Sequence, residues 1–204
     1  MSSQANIAVL ILAAGGSKRM GTPKQLLPWG DSTLLGHAVG TALQLRCDKV
    51  AVVLGANSEE IKETIIHDSV LVYEHAHWED GLGTSIAWGV SQLLLSTPQI
   101  EGILILLGDQ PMVSLGYLNS ILAQFESGKQ QIMATSYDDH KQGVPALFDA
   151  SYFDKLTVLN GDKGAKDILQ EYKADVTLFS AEGQLSDIDT LEDYRNLYTA
   201  NHQW

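Results

Sequence analysis

Residues 7–24 of the chain read IAVLILAAGGSKRMGTPK. The apolar run from Ile7 to Ala14 is typical of a β-strand that is buried on both faces of a parallel sheet. The pair Gly15-Gly16 follows at once, and glycines after a strand let the backbone turn and bring its N–H groups close to phosphate oxygens. Arg19 and Lys24 add positive charge to the same loop. The stretch therefore predicts a buried first strand that ends in a phosphate-binding loop.

Two common phosphate-binding motifs do not match this loop. Gly16 and Gly21 have the spacing of a P-loop, but Lys24 does not follow Gly21 directly, and Pro23 lies between them. The dinucleotide pattern G-x-G-x-x-G is also absent. The small side chains of Ala13-Ala14 would let a flat base lie against the backbone. A tight strand-to-helix turn with solvated lysines remains the alternative at this point.

The rest of the chain continues as an alternation of strands and helices, which predicts an α/β fold with right-handed crossovers. We expect a Rossmann-like, doubly wound, mostly parallel sheet with helices on both faces. The predicted strands after the first are 50–54, 70–73, 103–107 and 131–135. The predicted helices are 31–46, with Asp31 or Ser32 as N-cap, 58–66, with Ser58 as N-cap, 84–95 and 114–126.

The alternation becomes less regular after about Tyr137. Residues 143–148 are predicted to be a strand, and Pro145 near its start favours a position at the edge of the sheet. Residues 149–170 are predicted to be helical with a break at Asn160-Gly161, followed by a strand at 176–179 and a helix at 190–198. We expect one nucleotidyltransferase domain over 1–204, with its nucleotide-binding part at about 1–112 and its acceptor-binding part at about 113–204.

Composition limits the partners that this chain can bind. The 204 residues carry a formal net charge of −12, which disfavours nucleic-acid polymers and anionic membranes. Small anions remain possible where Lys18, Arg19 and Lys24 concentrate positive charge. The single cysteine, Cys47, rules out an intrachain disulfide and fits a cytoplasmic location. The segment 1–6 lacks the basic residue of a signal peptide, and no apolar run has the length of a membrane span.

A second candidate loop, Gly108-Asp109-Gln110-Pro111, follows the predicted strand 103–107. An aspartate in this setting is often only a turn former. In doubly wound sheets, however, ligands bind at the carboxyl ends of the strands where the strand order reverses. That rule would place Asp109 across a crevice from Gly15 and Arg19, where a carboxylate facing a triphosphate is the expected magnesium ligand.

With both loops in view, the chain resembles the molybdenum-cofactor cytidylyltransferases of the wider MobA-like nucleotidyltransferase superfamily. The resemblance extends from Ile7 to Tyr194. Its most specific motif is LAAGGSKRMGTPKQLLP at 12–28. The weaker ones follow in the family's order: GLGTSI at 81–86, GDQP at 108–111, GVPALF at 143–148, GDKGA at 161–165 and DIDTLEDY at 187–194.

The resemblance implies a set of site residues. Arg19, Lys24 and Asp109 are the implied catalytic residues, and Mg²⁺ is the implied cofactor, bound by Asp109 and by Asp187 in preference to Asp189. The residues implied to contact the nucleotide are Leu12, Ala13, Ala14, Gly15, Gly16, Ser17, Gly83, Thr84 and Ser85, of which the last three line the base and ribose.

The resemblance also implies the reaction: transfer of CMP from CTP to molybdopterin, with release of pyrophosphate and delivery of the product to a molybdoenzyme. Ala14 favours CTP, because relatives that transfer GMP tend to have glycine there. Val144 replaces a residue that is often histidine or polar in the family, and Gly83-Thr84-Ser85 replaces a more serine-rich stretch. A sugar phosphate or polyol phosphate acceptor is therefore an alternative, as is a non-catalytic accessory protein that delivers a cofactor.

Another pair of residues suggests a metal of a different kind. His75 and His77 lie near Glu74, Glu79 and Asp80, which is a combination that zinc sites use. No further histidine or cysteine follows at ligand spacing, so a structural or substrate-loop role is the favoured interpretation.

Overall fold

The computed structural model describes residues 5–65, 68–137, 141–181 and 186–202. The strands are β1 (Ile7–Ala13), β2 (Pro28–Trp29), β3 (Ser32–Thr33), β4 (Lys49–Leu54), β5 (Val70–Glu74), β6 (Gly102–Leu107), β7 (Ile132–Ser136), β8 (Gln142–Asp149) and β9 (Val176–Ser180). The α-helices are α1 (Leu34–Leu43), α2 (Ser58–Glu63), α3 (Leu82–Ser96), α4 (Leu115–Ala123), α5 (Phe153–Leu156), α6 (Lys166–Glu171) and α7 (Leu191–Asn201). Short 3₁₀ helices lie at Lys24–Leu26, Trp78–Asp80 and Ala150–Tyr152.

Seven of the strands form one sheet in the order β5-β4-β1-β6-β8-β7-β9. Strands β5, β4, β1 and β6 are parallel to one another, β8 runs antiparallel to both of its neighbours, and β9 is parallel to β7. Every residue of β1 is buried, as its continuous apolar sequence predicts. The predicted fold class, a mostly parallel doubly wound sheet, is confirmed.

Helices cover both faces of this sheet because alternate residues of each strand point to opposite sides. Ile7, Val9 and Ile11 of β1 pack in a core layer with α1, α2 and α4. The intervening residues, such as Leu10, pack in a second layer with α3, α5 and α6. A smaller cluster around Trp29 packs α7 against the β2–β3 hairpin.

The strand order reverses between β1 and β6. The chain goes from β1 outward through β4 to β5 and then returns to form β6 on the other side of β1. The loops that follow β1 and β6 therefore begin side by side at the same edge of the sheet. This reversal is the switch point of the sheet, the place at which ligands bind in doubly wound folds.

The predicted edge position of residues 143–148 is wrong. Strand β8 lies inside the sheet, between β6 and β7. Pro145 is accommodated because the ladder to β6 ends at Ala146, and the ladder to β7 shifts its register between Ala134 and Thr135. The missing N–H of Pro145 therefore falls at an irregularity of the ladder, where a proline is tolerated.

The starts of several helices also differ from the sequence prediction. Helix α1 has Thr33 as its N-cap, instead of Asp31 or Ser32, because residues 28–33 form a hairpin. Helix α2 has Asn57 as its N-cap instead of Ser58. The predicted helical segment 149–170 is interrupted more widely than expected, from 157 to 165.

Some predictions lie outside the described residues, namely the end of the helix 58–66 at Ile66 and the first four residues of the segment 1–6. Among the helices that the structure describes, none is both long enough and apolar enough to cross a membrane.

Candidate active site

The glycine-rich loop leaves β1 with its backbone open toward solvent. A Cβ atom added at Gly15 would have no described atom within 4 Å other than those of its neighbours. Gly16 is different, since a Cβ there would lie 2.8 Å from the indole of Trp78, which packs onto the loop. Ser17 adopts the left-handed conformation, with φ at 48°, and its Oγ accepts a hydrogen bond from the backbone N–H of Lys24 at 3.0 Å. The loop therefore curls back on itself.

Gln25 holds this loop in place from the inside. Its side chain is buried, and its Nε2 donates to the carbonyl oxygens of Ala13 and Gly15, each at 2.8 Å. Its Oε1 accepts from Ser17 Oγ at 3.4 Å. These bonds tie Gln25 to the end of β1 and to the loop that follows, so the loop is held before any ligand arrives.

Lys24 brings the glycine-rich loop and the second loop together. Its Nζ forms an ion pair with Asp109 Oδ2, donates to the carbonyl of Ile188 at 3.0 Å and lies 3.5 Å from Asp189 Oδ1. Arg19 is more exposed, and its Nη1 lies 3.5 Å from Asp189 Oδ2. Two of the three residues predicted to be catalytic are thus in direct contact, and the third is joined to them through Asp189.

The other predicted metal ligand, Asp187, lies beside this group. Its Oδ1 accepts a hydrogen bond of 2.7 Å from Gln110 Nε2, which also donates to the hydroxyl of Tyr137 at 3.1 Å. Burial raises the pKa of Tyr137 to about 12, so its hydroxyl stays protonated and donates to the carbonyl of Val144. Gln110, which follows Asp109, therefore connects Asp187 to the turn between β7 and β8.

Burial and charge act against each other at the ion pair. Burial alone would lower the pKa of Lys24, but the carboxylates of Asp109 and Asp189 outweigh it and hold this pKa above its ordinary value. For Asp109, burial raises the pKa even against the pull of Lys24, and the nearby charge of Asp187 raises it further. Lys24 is therefore a permanent cation, whereas Asp109 is a carboxylate that the fold alone stabilises poorly.

The geometry also tests whether a divalent cation fits. Asp109 Oδ1 is buried and has no hydrogen-bond partner among the described residues, although Oδ2 is paired with Lys24. A buried carboxylate oxygen without a donor is the kind of ligand that Mg²⁺ or Mn²⁺ takes. Asp187 and Asp189 supply further carboxylates nearby. The donor set fits a hard cation, although the described residues hold no ready-made cluster of three or more metal-binding side chains.

A cavity of about 390 Å³ opens between the two loops. This is large enough for a small ligand. Several residues predicted to bind the nucleotide or to catalyse line it: Leu12, Ala13, Ala14, Gly15, Ser85, Lys24 and Asp109. Others that line it were not predicted to do so: Lys18, Gln25, Trp78, Glu79, Gly81, Leu82, Leu107, Gly108 and Asp162.

The remaining predicted nucleotide-binding residues lie around the cavity without lining it. Gly83 packs against the loop that contains Asp162, and its N–H donates to the carbonyl of Gly161 at 2.8 Å. Thr84 lies in the first turn of α3, where its hydroxyl donates to the carbonyl of Gly81 at 2.7 Å. In this stretch only Ser85 lines the cavity.

Trp78 and Gln25 are the contributions that sequence reasoning missed. Trp78 lies over Gly16 and Gly55, and a Cβ at Gly55 would come within 2.6 Å of the Trp78 Cβ. Lys18 lies 5.8 Å from the centre of the same indole and pairs with Glu79 at 3.2 Å. The only sequence signal for Trp78 was its aromatic character and its position shortly before Gly81, where the GLGTSI motif begins.

The histidine pair has a structural setting. His75 is buried, stacks on Trp88 with ring centres 5.8 Å apart, and has its Nε2 3.3 Å from the Thr84 hydroxyl. The ring of His77 packs edge-on against the ring of His75. Burial, together with the neighbouring His77, lowers the pKa of His75. These contacts agree with the interpretation of this pair as structural.

A doubly wound sheet with a glycine-rich loop, a lysine and an aspartate at its switch point is an arrangement that many nucleotide-binding α/β proteins share. Comparison with known families makes this specific. Residues 9–176 match the model of the MobA-like NTP transferase domain. The chain belongs to this family, which places it in the nucleotidyltransferase superfamily.

Relatives of known name align along most of the chain. The chain is 30% identical to nicotine blue oxidoreductase of Paenarthrobacter nicotinovorans, with 92% of this chain and 94% of that protein covered. It is 31% identical to the purine catabolism protein PucB of Bacillus subtilis, with 91% and 92% covered. Among solved structures, Rv0371c of Mycobacterium tuberculosis superposes with a TM-score of 0.83 at 31% identity, covering 96% of this chain and 99% of that one. A second structure of Rv0371c is a complex with manganese.

Proposed function

We propose that this protein transfers CMP from CTP to a phosphorylated small molecule, with release of pyrophosphate and with Mg²⁺ as cofactor. The observation that carries the proposal is the contact of Lys24 with Asp109 at the switch point, beside a cavity of about 390 Å³. At this point the Lys24 ammonium, which can bind phosphate, lies beside the Asp109 carboxylate, one oxygen of which has no partner among the described residues and is free for a metal. Pure nucleotide binding does not require that carboxylate, which argues against a non-catalytic delivery protein.

In the proposed reaction an oxygen of the acceptor's phosphate attacks the α-phosphorus of the nucleotide in line with the leaving pyrophosphate. A P–O bond forms to the acceptor and the bond to the β-phosphate oxygen breaks. The nucleophile is already ionised near neutral pH, so no general base is needed, and positioning and charge neutralisation carry the catalysis.

Each part of the site has a task in this scheme. The N–H groups of the loop at Gly15 and Gly16 hold phosphate oxygens, and Gln25 keeps the loop in shape. Lys24 and Arg19 stabilise the charge that builds up on pyrophosphate. Asp109, with Asp187 as second carboxylate, would hold the Mg²⁺, which would neutralise negative charge on the reacting phosphates.

The acceptor that we propose is molybdopterin, with or without its metal, and a molybdoenzyme would receive the product. Membership in the MobA-like family and the resemblance of the motifs to molybdenum-cofactor cytidylyltransferases support this choice. The alternative is the same chemistry on a sugar phosphate or polyol phosphate. This alternative acceptor is retained because two parts of the chain depart from the family pattern, namely Val144 and the stretch Gly83-Thr84-Ser85.

A donor-by-acceptor screen tests the proposal, with pyrophosphate release as readout. The four nucleoside triphosphates are combined with molybdopterin, a hexose phosphate and a polyol phosphate in the presence of Mg²⁺. We expect turnover with CTP and molybdopterin in the wild type and none in Asp109→Asn. Asp48→Asn, which changes an exposed aspartate at the opposite edge of the sheet, is the matched control.

The screen includes one further assay, because one relative is named an oxidoreductase. The same preparation is tested for oxidation of a reduced nicotinamide nucleotide by a dye. Absence of pyrophosphate release for every pair, or redox turnover that survives in Asp109→Asn, would count against the proposed function.

A further inference from the structure

A second cavity, of about 410 Å³, lies between the start of β8 and helix α6, and we call it the lysine cavity. The described residues that line it include three lysines and no carboxylate: Lys141, Gln142, Lys166, Leu169, Gln170 and Lys173. Lys166, Gln170 and Lys173 are spaced so that they follow one side of α6 and its C-terminal end. Asp167 and Glu171 belong to the same helix, but neither of them lines the cavity.

Ion pairs distinguish these three lysines from other lysines in the described part of the chain. Lys18, Lys24, Lys62 and Lys163 each form an ion pair with a described carboxylate. Lys141, Lys166 and Lys173 form none within that part of the chain, and all three are exposed. Three ammonium groups around one concave surface attract an anion and repel one another without it.

Gln142, which lines the cavity, gives a second, independent indication of a ligand. Gln142 Oε1 is buried and has no hydrogen-bond partner among the described residues. A buried acceptor without a donor is costly, and a hydroxyl or N–H group on a ligand would satisfy it. Leu169, which is only 2% exposed, supplies an apolar surface beside it. The lining therefore suits a small molecule with both an anionic group and a hydrogen-bond donor.

The position of this cavity connects it to the candidate active site. Strand β8 is the neighbour of β6 and runs antiparallel to it, so Gln142 lies at the edge of the sheet where β6 ends and Asp109 follows. Adjacent strands are separated by about 5 Å. The turn that precedes β8 is closed by a hydrogen bond of 2.9 Å from Tyr137 N–H to the carbonyl of Lys141, and Tyr137 is bonded to Gln110.

We propose that Lys141, Lys166 and Lys173, together with Gln142, bind the acceptor through an anionic group other than the phosphate that attacks. The proposal rests on the proposed function and specifies its substrate class: a phosphate ester with a second anionic group at its far end and a hydroxyl or N–H donor near that group. The attacking phosphate lies at Asp109, and the second group lies in the lysine cavity.

The anion site is tested first by a binding measurement that does not depend on turnover. Inorganic phosphate is titrated into ¹⁵N-labelled protein, and the amides of Gln142, Leu169 and Gln170 report on the lysine cavity. We expect saturable shifts in the wild type and a dissociation constant about tenfold higher in Lys166→Gln/Lys173→Gln, the size expected when two exposed charge pairs are lost.

The matched control is Lys49→Gln/Lys129→Gln, which removes the same charge from exposed positions at the opposite edge of the sheet. The control should leave the phosphate shifts of the lysine cavity unchanged. Absence of saturable shifts in the wild type, or equal weakening in the two double variants, would overturn the proposal.

The role in acceptor binding is tested by kinetics. Lys166→Gln/Lys173→Gln should raise the KM for the acceptor about tenfold at low salt and leave the KM for CTP unchanged, because these lysines lie away from the glycine-rich loop. An unchanged acceptor KM would overturn the proposal even if phosphate binds. Absence of turnover with every acceptor would overturn both the proposed function and the acceptor role, while the titration would still decide whether the lysines bind an anion.

Discussion

Lys24 and Asp109 are 85 positions apart in the sequence and form an ion pair at the junction of β1 and β6. Only one oxygen of Asp109 is taken by this contact, and Oδ1 has no partner among the described residues. A lysine that pairs with one oxygen of a buried carboxylate leaves the other oxygen available to a metal cation. The same two residues thus join the triphosphate loop to the proposed metal site.

The first prediction concerns Asp109→Asn, which should abolish pyrophosphate release because the buried metal ligand is lost. It should not destabilise the fold. Burial raises the pKa of Asp109, so the stability that this group contributes is present below its unfolded pKa and is lost as pH rises through the folded value. Above that value the ionised group costs stability when no metal is bound, and asparagine removes this cost. Lys24 keeps its contacts with the carbonyl of Ile188 and with Asp189 in the variant, so it is not left without a partner.

Thermal melts in EDTA at pH 7.5 check the stability of this variant. The melting temperature should be unchanged or up to about 4 °C higher than that of the wild type, which corresponds to roughly 1 kcal/mol in a chain of this size. Asp48→Asn serves as the control for both assays. Near-normal turnover of Asp109→Asn would exclude Asp109 as a metal ligand.

The second prediction concerns Lys24→Met. This change leaves Asp109 Oδ2 and the carbonyl of Ile188 without their donor, and should cost about 2 kcal/mol at pH 8. Without the ammonium the pKa of Asp109 rises further, so the carboxyl takes up a proton as pH falls and the cost decreases. The difference in melting temperature from wild type should therefore be larger at pH 8 than at about pH 5.5.

Lys49→Met is the control for this pH dependence, because it removes a lysine that is exposed at the other edge of the sheet. Its effect on the melting temperature should be small at both values of pH. A destabilisation of Lys24→Met that is equal at both would show that Asp109 does not titrate in response to Lys24.

The limits of sequence-based prediction are visible in particular residues. β1 and its loop are predictable because the signals are local: an apolar run and then two glycines. The rule on switch points predicts that Asp109 faces the glycine-rich loop. It does not predict that the ion-pair partner of Asp109 there is Lys24, whereas Arg19 pairs with Asp189. The interior position of β8 is not predictable from sequence. Pro145 is tolerated there because the ladder to β6 ends at Ala146 and the ladder to β7 shifts its register beside it. Trp78 and Gln25 were missed because their roles depend on contacts with Gly16, Gly55 and the carbonyls of β1, which no local pattern encodes.

The third prediction separates the two aspartates of the DIDTLEDY stretch. Asp187 is held by Gln110, whereas Asp189 faces Lys24 and Arg19. Asp187→Asn should raise the Mg²⁺ concentration for half-maximal rate about tenfold without abolishing turnover, since an amide oxygen still binds a hard cation. Asp189→Asn should instead raise the KM for CTP, because the two cations lose a carboxylate that positions them.

Initial rates against Mg²⁺ concentration, repeated with Mn²⁺, distinguish these outcomes. Glu192→Gln, which changes an exposed acidic residue in the first turn of α7, is the control and should alter neither parameter. A larger shift in the metal requirement for Asp189→Asn than for Asp187→Asn would assign the second ligand to Asp189.

The last prediction concerns the choice of nucleotide. Ala14 is 6% exposed, lines the cavity and directly precedes Gly15, so its Cβ limits the room beside the loop on which the base is proposed to lie. A pyrimidine tolerates this better than the larger guanine, so the wild type should prefer CTP. Ala14→Gly should reduce the ratio of kcat/KM for CTP over GTP by about tenfold, as expected for a small change in pocket size.

The control variant is Ala123→Gly at the end of α4. It is needed because a glycine in place of alanine gains backbone freedom in the unfolded chain, which lowers the free energy of unfolding by about 1 kcal/mol. The measurement is kcat/KM for both nucleotides with one acceptor in all three proteins. A wild-type preference for GTP, or a ratio that Ala14→Gly leaves unchanged, would show that this methyl group does not select the base.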